Sequence, residues 1–223
     1  MALNDCNFHE SINMDEFERT KTISFSPPDG ESVLMNYRCS GDYPTPFRVF
    51  PFIEEVMSSR LDLVLRIRAD IPQNLYGSNV VVRIPVPKST SRSGFPLLTS
   101  RSSSPSNFPS FIFFFRSCSA DFAGNAAGQS FEFKAADKQA IWRIKRFGGG
   151  TEDTIRVKMM VANASSNATK REVGPVSIDF EVSNTTVTGI TIKFLRIFER
   201  SKDYTPYKWV RCITYSNSYV CRV

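Results

Sequence analysis

The chain has 223 residues, of which 41% are hydrophobic and 22% are charged, as in an ordinary globular protein. A chain of this length can bury a core in one large β domain or in two small ones. No stretch approaches the roughly 18 apolar residues that a membrane-spanning helix needs, and the opening "MALNDCNFHES" predicts no secretory signal peptide. The net charge of +6 favours anionic partners such as phospholipid headgroups or nucleic acid, but only weakly, because the basic residues are scattered.

The cysteines favour free thiols in a cytosolic protein over a disulfide framework, because they are odd in number and follow no repeated spacing. Three Asn-x-Ser/Thr sequons would, without a secretory route, mark only polar loops or exposed strand edges. The cysteines are Cys6, Cys39, Cys118, Cys212 and Cys221, and the sequons begin at Asn163, Asn167 and Asn184.

The beginning of the chain predicts a β-hairpin and then a helical turn. "KTISFS" (Lys21–Ser26) and "SVLMNYRC" (Ser32–Cys39) flank "PPDGE", whose proline, aspartate and glycine residues are typical of a hairpin loop. Farther on, "FIEEVMSSR" (Phe52–Arg60) is the one stretch with helical spacing, and we expect a short helical turn there.

Alternation of apolar and polar residues dominates the rest of the chain. In "RLDLVLRIRAD" (Arg60–Asp70), apolar and charged side chains would face opposite sides, which is typical of a half-buried strand. The apolar side would carry Leu61, Leu63, Leu65 and Ile67, and the other side Asp62, Arg66 and Arg68. Roughly ten short strands of this kind, separated by turn signals, predict an all-β fold, a β-sandwich. The other main predicted strands are Asn79–Pro87, Ala140–Phe147, Thr154–Ala162, Val176–Val182 and Gly189–Glu199.

One segment does not fit a sandwich and forms an atypical insertion. "SGFPLLTSRSSSPSNFPSFIFFFRSC" (Ser93–Cys118) is rich in serine and proline and then carries a run of large apolar residues, Phe111 to Phe115, which cannot all point inward from one strand. One interpretation is translated intron sequence, since Phe, Ser, Leu and Pro all have pyrimidine-rich codons. The other is a long loop whose phenylalanine run docks on the sandwich. Sequencing the transcript decides between them.

The residue types that enzymes use in catalysis are sparse. His9 is the only histidine, so any Ser-His-Asp or Cys-His arrangement would have to use it. Cys212 and Cys221 have neither a CxxC partner nor a second histidine, which predicts no metal site. "FGGGTED" (Phe147–Asp153) lacks the Lys-Ser/Thr of a phosphate-binding loop and favours a flexible hairpin instead. We therefore expect no catalytic residues, no metal and no cofactor.

The last stretch, "DYTPYKWVRCITYSNSYVCRV" (Asp203–Val223), predicts a terminal strand. Trp209 and Arg211 are two residues apart, so they would share one face of that strand. An indole beside a guanidinium forms a flat, cationic, aromatic wall. That wall could serve packing, or it could hold another aromatic ring.

Several segments together resemble a known family. They are "ISFSPPDGESVLMNYR", "VVVRIPVPKSTSR", "AADKQAIWRIKRFGGGTEDTIRVKM", "EVGPVSIDFEV", "GITIKFLRIFE" and "PYKWVRCITYSNSYVCRV", in this order. They closely resemble the mu-homology domain, the C-terminal domain of the medium subunits of clathrin-adaptor-type complexes. The resemblance covers nearly the whole chain apart from Ser93–Cys118. "ERSKDYTPYKWVR" and "SNSYV" look most like the medium subunit of the fourth adaptor complex.

The resemblance implies an elongated all-β domain of two immunoglobulin-like sandwich subdomains that binds Tyr-x-x-Φ sorting signals, where Φ is bulky and apolar. The peptide would lie extended beside an edge strand. By resemblance, Trp209 and Arg211 fall on the wall of the tyrosine pocket, and Ile192, Leu195 and Val210 on the pocket for Φ. Ordinary sandwich core is the alternative for the last three.

The resemblance also implies that a strand upstream of "DCNFHES" carries an aspartate that accepts the tyrosine hydroxyl and a second aromatic residue. We therefore expect residues 1–223 to form a mu-homology domain without its first strands and without the N-terminal longin-like domain. Such a domain should bind the tyrosine signal weakly or not at all. Its open sheet edge would favour aggregation.

The partners that the resemblance implies are cytosolic tails of transmembrane cargo, together with two large subunits and one small adaptor subunit. The implied location is cytoplasmic, peripheral on trans-Golgi network, endosomal or coated-vesicle membranes. An alternative function is a membrane-surface module for acidic phosphoinositides. Its basic residues would be Arg143, Lys145, Arg146, Lys170 and Arg171.

Two further classes of protein fit the sequence poorly. A secreted lectin or adhesion sandwich would need a signal peptide and paired cysteines. A nucleic-acid-binding sandwich would need a platform of aromatic residues among basic ones, whereas the aromatics here take alternating core positions.

Overall fold

The structure, a computed structural model of the chain, describes residues 2–90, 118–124, 126–199, 205–216 and 218–223. The chain divides into two units, Met1–Pro44 and Thr45–Val223. The predicted insertion lies outside the described residues up to position 117, and Cys118 begins a strand. Among the described residues, no helix is both long and apolar enough to cross a membrane.

The first unit contains a two-stranded antiparallel sheet and a short helix. Strand β1 (Ala2–Phe8) pairs with β2 (Met35–Ser40), and helix α1 (Met14–Thr20) lies between them in the sequence. The helix begins at Asn13, whose side chain accepts a hydrogen bond from the Glu16 backbone N–H. It ends at Lys21, which takes a left-handed conformation.

The predicted hairpin of Lys21–Ser26 with Ser32–Cys39 is wrong. Only Phe25 of the earlier segment makes a β-bridge, and its partner is Ile12. The later segment does form a strand, β2, but it pairs with β1. Alternation shows which side of a strand is buried and does not show which strand lies beside it, so the turn residues suggested a false partner.

The second unit is a sandwich of two antiparallel sheets, which confirms the all-β prediction. One sheet has the order β3-β4-β9-β6, and the other has the order β11-β10-β5-β8-β7, with β12 also paired to β10. A short helix, α2 (Asn167–Arg171), precedes β10. The strands are β3 (Phe47–Met57), β4 (Arg60–Ala69), β5 (Tyr76–Pro85), β6 (Cys118–Ala123), β7 (Gln129–Lys134), β8 (Gln139–Gly148), β9 (Glu152–Met160), β10 (Val176–Ser183), β11 (Ile213–Tyr215) and β12 (Tyr219–Cys221).

The core of the sandwich follows the predicted alternation. On β4, Leu61, Leu63, Leu65 and Ile67 are fully buried, and the inward residues of β5 and β10 behave in the same way. Each such side chain contributes about 1.5–3 kcal/mol when it leaves water. Asp62 points to the other side as predicted, but it is buried too, because arginine side chains cover its carboxylate.

Two predictions about the middle of the chain are wrong. Of the helical turn predicted for Phe52–Arg60, residues 52–57 belong to β3, because β4 pairs with them, and Arg60 begins β4. The glycine-rich stretch is not a hairpin either. It connects β8 of one sheet with β9 of the other, and Gly149 and Gly150 donate backbone hydrogen bonds to Leu75 and Ala69 at 2.9 Å.

The strand predicted for Gly189–Glu199 is absent from the described residues, and the one predicted within Asp203–Val223 is shorter than expected and begins only at Ile213. Residues 190–199 and 205–212 are in neither helix nor strand, and the regular pairing resumes only with β11 and β12. Their sequence is rich in β-branched and aromatic residues, but such residues favour a strand only where a neighbouring strand supplies hydrogen bonds. On the edge of β10 that does not face β5, the ladder covers only the residues opposite Ile213–Tyr215 and Tyr219–Cys221.

Candidate functional site

The five residues predicted to bind the peptide lie on two exposed segments at the edge of the six-stranded sheet. Ile192 and Leu195 are on residues 190–199, and Trp209, Val210 and Arg211 are on residues 205–212. The four apolar side chains are between 37% and 63% exposed, so they are not sandwich core. Large apolar side chains grouped at a protein surface are typical of an interface.

A hydrogen bond joins the two segments. The Lys208 ammonium group donates to the backbone oxygen of Leu195 at 3.0 Å. This bond links the two segments at Lys208 and Leu195.

Hydrogen bonds join the end of the second segment and the start of β11 to the residues that follow β10. The Asn184 N–H donates to the Cys212 oxygen at 2.7 Å, and the Thr214 hydroxyl donates to the Thr185 oxygen at 2.7 Å. From Arg211 onward, exposed residues alternate with half-buried ones. The alternation does not extend back to Trp209, since residues 207–211 are all exposed.

Arg211 is positioned by two side chains of β10. Its Nη2 donates to Glu181 Oε1 at 3.2 Å and to Ser183 Oγ at 3.4 Å. Glu181 and Ser183 are two residues apart, so they share the outer face of the sheet. The pair with Glu181 is half exposed and therefore contributes little to stability, but it orients the guanidinium plane.

Glu181, Ser183 and Lys208 also belong to this surface, although their sequence context did not predict it. Glu181 and Ser183 showed one signal, their polar character at alternate positions of "VSIDFEVS". That signal predicts an outward face but not the partner that the face meets, since Arg211 lies 30 residues after Glu181.

The basic residues predicted to bind phosphoinositides fall on two elements. Arg143, Lys145 and Arg146 are on β8, and Lys170 and Arg171 end helix α2. Three of the five side chains have partners in the protein itself. Arg143 donates to Glu132 at 2.8 Å, Lys170 donates to Glu55 at 3.1 Å, and Arg146 lies 3.9 Å from the centre of the Tyr76 ring.

These pairs also change the acidity of their carboxylates. Hydrogen bonds from the Ser165 hydroxyl and from Lys170 lower the pKa of Glu55. A hydrogen bond from Arg143 lowers the pKa of Glu132. Both carboxylates therefore stay ionised beside their cations, which leaves less positive charge for a lipid phosphate.

The His9 ring makes a local contact. It follows β1, and its Nδ1 lies 2.8 Å from the Ser11 hydroxyl two residues on. No group of three or more His, Cys, Asp or Glu side chains in the described ranges could hold a metal ion. All five cysteines are free thiols.

The fold resembles a solved mu-homology domain. The Fcho1 mu homology domain of Danio rerio, solved with a bound Eps15 peptide, matches 99% of this chain and 75% of its own with a TM-score of 0.56. Its sequence is only 10% identical, so this likeness concerns the fold alone.

Sequence comparisons identify the family. AP-4 complex subunit mu of Arabidopsis thaliana is 35% identical over 223 residues, and AP-2 complex subunit mu of Dictyostelium discoideum is 31% identical over 225. Both alignments cover all of this chain and 44% of the relative, so the chain spans less than half the length of these proteins. The model of the adaptor complexes medium subunit family matches residues 1–223. The resemblance predicted from the motifs is confirmed, and the chain belongs to the adaptor complexes medium subunit family.

Proposed function

We propose that this chain recognises Tyr-x-x-Φ sorting signals in the cytosolic tails of membrane proteins, as a non-enzymatic cargo-binding part of an adaptor medium subunit. The observation that carries the proposal is the exposure of Ile192, Leu195, Trp209 and Val210 at one sheet edge, beside Arg211. The indole and the guanidinium can hold a phenol ring between them, and the aliphatic side chains can cover Φ.

In this proposal, the group that accepts a hydrogen bond from the tyrosine hydroxyl comes from outside the surface described above. Glu181 already accepts a hydrogen bond from Arg211. An aspartate upstream of "DCNFHES", as the family resemblance implies, would complete the pocket. A phenol hydroxyl that is buried without an acceptor costs about 1–3 kcal/mol, so a pocket without that aspartate should bind the signal weakly.

The partners and the location follow from the family in the same proposal. The chain would act with two large subunits and one small subunit, on the cytoplasmic side of trans-Golgi network or endosomal membranes. Phosphoinositide binding by Arg143, Lys145, Arg146, Lys170 and Arg171 is the competing function. We do not favour it, because Arg143 and Lys170 are paired with carboxylates.

Peptide titration tests the proposal. A fluorescent Tyr-x-x-Φ peptide is titrated against this chain, and against a fusion in which the domain strands that precede the matched segment of the Arabidopsis relative are joined to residue 1. We expect the fusion to bind much more tightly than the chain alone. Trp209→Ala in the fusion should weaken binding at least about tenfold, as truncation of a central aromatic residue does.

Phe198→Ala is the matched control, because Phe198 is an exposed aromatic residue of the neighbouring segment outside the predicted pocket. It should leave the affinity within about twofold, the range of a peripheral contact. Equal losses in both variants, or none in Trp209→Ala, would move cargo recognition to another surface. If the protein then sedimented with anionic liposomes, and Trp209→Ala did not reduce the sedimented fraction, the membrane-surface function would be favoured.

A further inference from the structure

The outer face of the four-stranded sheet carries two exposed phenylalanines on its edge strand. Outward positions of β3 alternate with half-buried ones, and the outward side chains include Phe50 and Phe52. Phe50 is 39% exposed and Phe52 is 63% exposed. Two neighbouring aromatic side chains on a water-facing sheet surface expose apolar area that a folded protein normally buries.

Three arginines surround these rings. In the β3–β4 pairing, Arg48 lies directly opposite Arg68, and Phe50 lies opposite Arg66. The Arg66 guanidinium is 5.0 Å from the centre of the Phe50 ring. We call Arg48, Phe50, Phe52, Arg66 and Arg68 the arginine–phenylalanine patch.

Like charges directly opposite each other destabilise a sheet, so the Arg48–Arg68 pair needs compensation. The Asp70 carboxylate supplies this compensation, because it accepts hydrogen bonds from both Arg48 and Arg68. Arg66 forms a longer ion pair with Glu152, with 3.6 Å between Arg66 Nη1 and Glu152 Oε1. Three guanidinium groups thus share two carboxylates, and all three arginine side chains are more than half exposed.

The free edge of β3 beside the patch is closed to strand addition. Pro51 has no N–H to donate to an added strand. The Tyr219 hydroxyl donates to the Phe47 oxygen at 2.9 Å, and the Cys221 thiol lies 3.8 Å from the Val49 oxygen. A partner must therefore lie on the face of the sheet, on its side chains.

We propose that the arginine–phenylalanine patch docks an acidic peptide segment of a partner protein that carries an aromatic or aliphatic residue. Carboxylates of the segment would pair with the exposed sides of Arg48, Arg66 and Arg68, where the guanidinium excess is. The apolar residue would cover Phe50 and Phe52. This surface lies on the sheet opposite to the one that carries Trp209 and Arg211, so it is a second binding site, independent of the proposed tyrosine pocket.

The charge pattern favours a peptide over an anionic membrane. Glu54 follows Phe52 on the same face of β3, and its side chain is 47% exposed. A flat anionic bilayer that reached the arginines would also meet this carboxylate and be repelled by it. A short acidic segment can meet the arginine end alone.

Fluorescence anisotropy of the whole chain tests this inference. The probe is a fluorescein-labelled synthetic peptide, Gly-Ser-Asp-Glu-Phe-Asp-Glu-Ser-Gly, and a second probe has serine in place of phenylalanine. We expect saturable binding of the first probe, weakened at least about tenfold by Phe52→Ser and by Arg66→Gln, as for central interface residues. The second probe should bind more weakly than the first.

Lys145→Gln is the matched control, because it removes one exposed positive charge from the outer face of the other sheet. It should change the affinity less than about twofold at 0.15 M salt, where distant surface charges are screened. Circular dichroism melting checks that each variant is folded. Tyr-x-x-Φ binding should be unchanged in Phe52→Ser, so failure here and failure of the tyrosine pocket are separate results.

Four results would overturn the inference. One is an absence of saturable binding up to about 1 mM peptide, a concentration that detects even a weak interaction. Another is an equal loss in Lys145→Gln and Arg66→Gln, which would show attraction to net charge only. A third is sedimentation with phosphatidylserine vesicles that is lost in Phe52→Ser. The fourth is a dimer in light scattering that Phe52→Ser dissociates, since a second copy of the chain would then cover the patch.

Discussion

The Gly149 backbone lies against the carbonyl group of Pro72, so closely that a Cβ atom on Gly149 would be 2.0 Å from the Pro72 oxygen. The obstacle is backbone, which cannot rotate away as a flexible side chain can. The contact closes the connection between β8 and β9, where the chain passes from one sheet of the sandwich to the other.

Gly149→Ala should therefore destabilise the second unit by at least about 3 kcal/mol, the upper range for overpacking a tight site. Urea unfolding followed by circular dichroism measures the change. Gly148→Ala is the matched control, because a Cβ there would meet only the Thr151 side chain at 3.4 Å. It should cost less than about 1 kcal/mol. Equal midpoints for the two variants would contradict the close approach.

The Arg60→Ala variant should be less stable, because Arg60 compensates the buried charge of Asp62. The Asp62 side chain is fully buried and accepts two hydrogen bonds from Arg60, at 2.8 and 2.7 Å, while Arg156 is 3.5 Å away. Arg60→Ala leaves the carboxylate with the longer contact only, and it should cost about 3 kcal/mol, the low end for breaking a buried ion pair.

The double variant Arg60→Ala/Asp62→Ala should recover part of that loss, since it removes the uncompensated charge. Arg66→Ala is a control at an exposed pair on the same strand and should cost less than about 1 kcal/mol. Unfolding midpoints in urea measure all three. A double variant no more stable than Arg60→Ala would show that the charge of Asp62 is not the cause.

Asp153 should make stability fall as the pH rises. Burial raises its pKa, and a hydrogen bond from the Gln129 side chain opposes that effect only in part. The ionised carboxylate is thus disfavoured in the folded state. Its cost is absent below the ordinary aspartate pKa, about 3.9, and it appears as the pH rises through the higher folded-state value.

Asp153→Asn keeps an acceptor for Gln129 but cannot ionise. Its melting temperature should exceed that of the unmodified chain at pH 7, and the difference should shrink towards pH 4. Asp70→Asn is the control of opposite sign, because the hydrogen bond from Arg48 lowers the pKa of Asp70. That variant should be less stable at pH 7, again with a difference that shrinks in acid. Thermal melts at several pH values would contradict the argument if both differences had the same sign.

Cys118 should resist thiol reagents in the folded protein. It is buried at the start of β6, and burial raises its pKa to about 12. At pH 8 only about one thiol in ten thousand would be ionised, and the thiolate is the reactive form. Iodoacetamide followed by mass spectrometry should label half-buried Cys39 but not Cys118 until urea unfolds the chain. Equal labelling of the two in the native protein would contradict the burial.

The sequence predicted the central strands well because one face of each is buried. β4, β5, β8, β9 and β10 coincide with alternating stretches, since inward residues must be apolar and outward ones may be polar. The sequence did not predict β3 as a strand, because its C-terminal half carries Glu54 and Glu55 between Ile53 and Val56. That order of residues also fits a helical turn. Only the pairing with β4 settles its conformation.

The candidate site could be predicted in part. The motif resemblance selected Trp209 and Arg211, and the structure places both at the surface. Neither the motif nor the spacing showed that Glu181 holds the Arg211 guanidinium, since the two residues meet only when β11 pairs with β10. The prediction of a strand for residues 190–199 was wrong for a related reason. A high β-propensity does not supply the neighbouring strand that a β-strand needs.

The pairing of β10 makes the stability of the sandwich depend on its last two short strands. β11 and β12 both lie along one edge of β10, opposite Glu181–Ser183 and Val176–Ile178 respectively. Without them, the N–H and C=O groups of that edge would face water in a row and could template pairing with another chain. A premature stop codon before Ile213 would therefore act as more than a loss of the binding surface. It would replace an edge of two three-residue strands by the longer, eight-residue edge of β10, and a long exposed edge favours self-association.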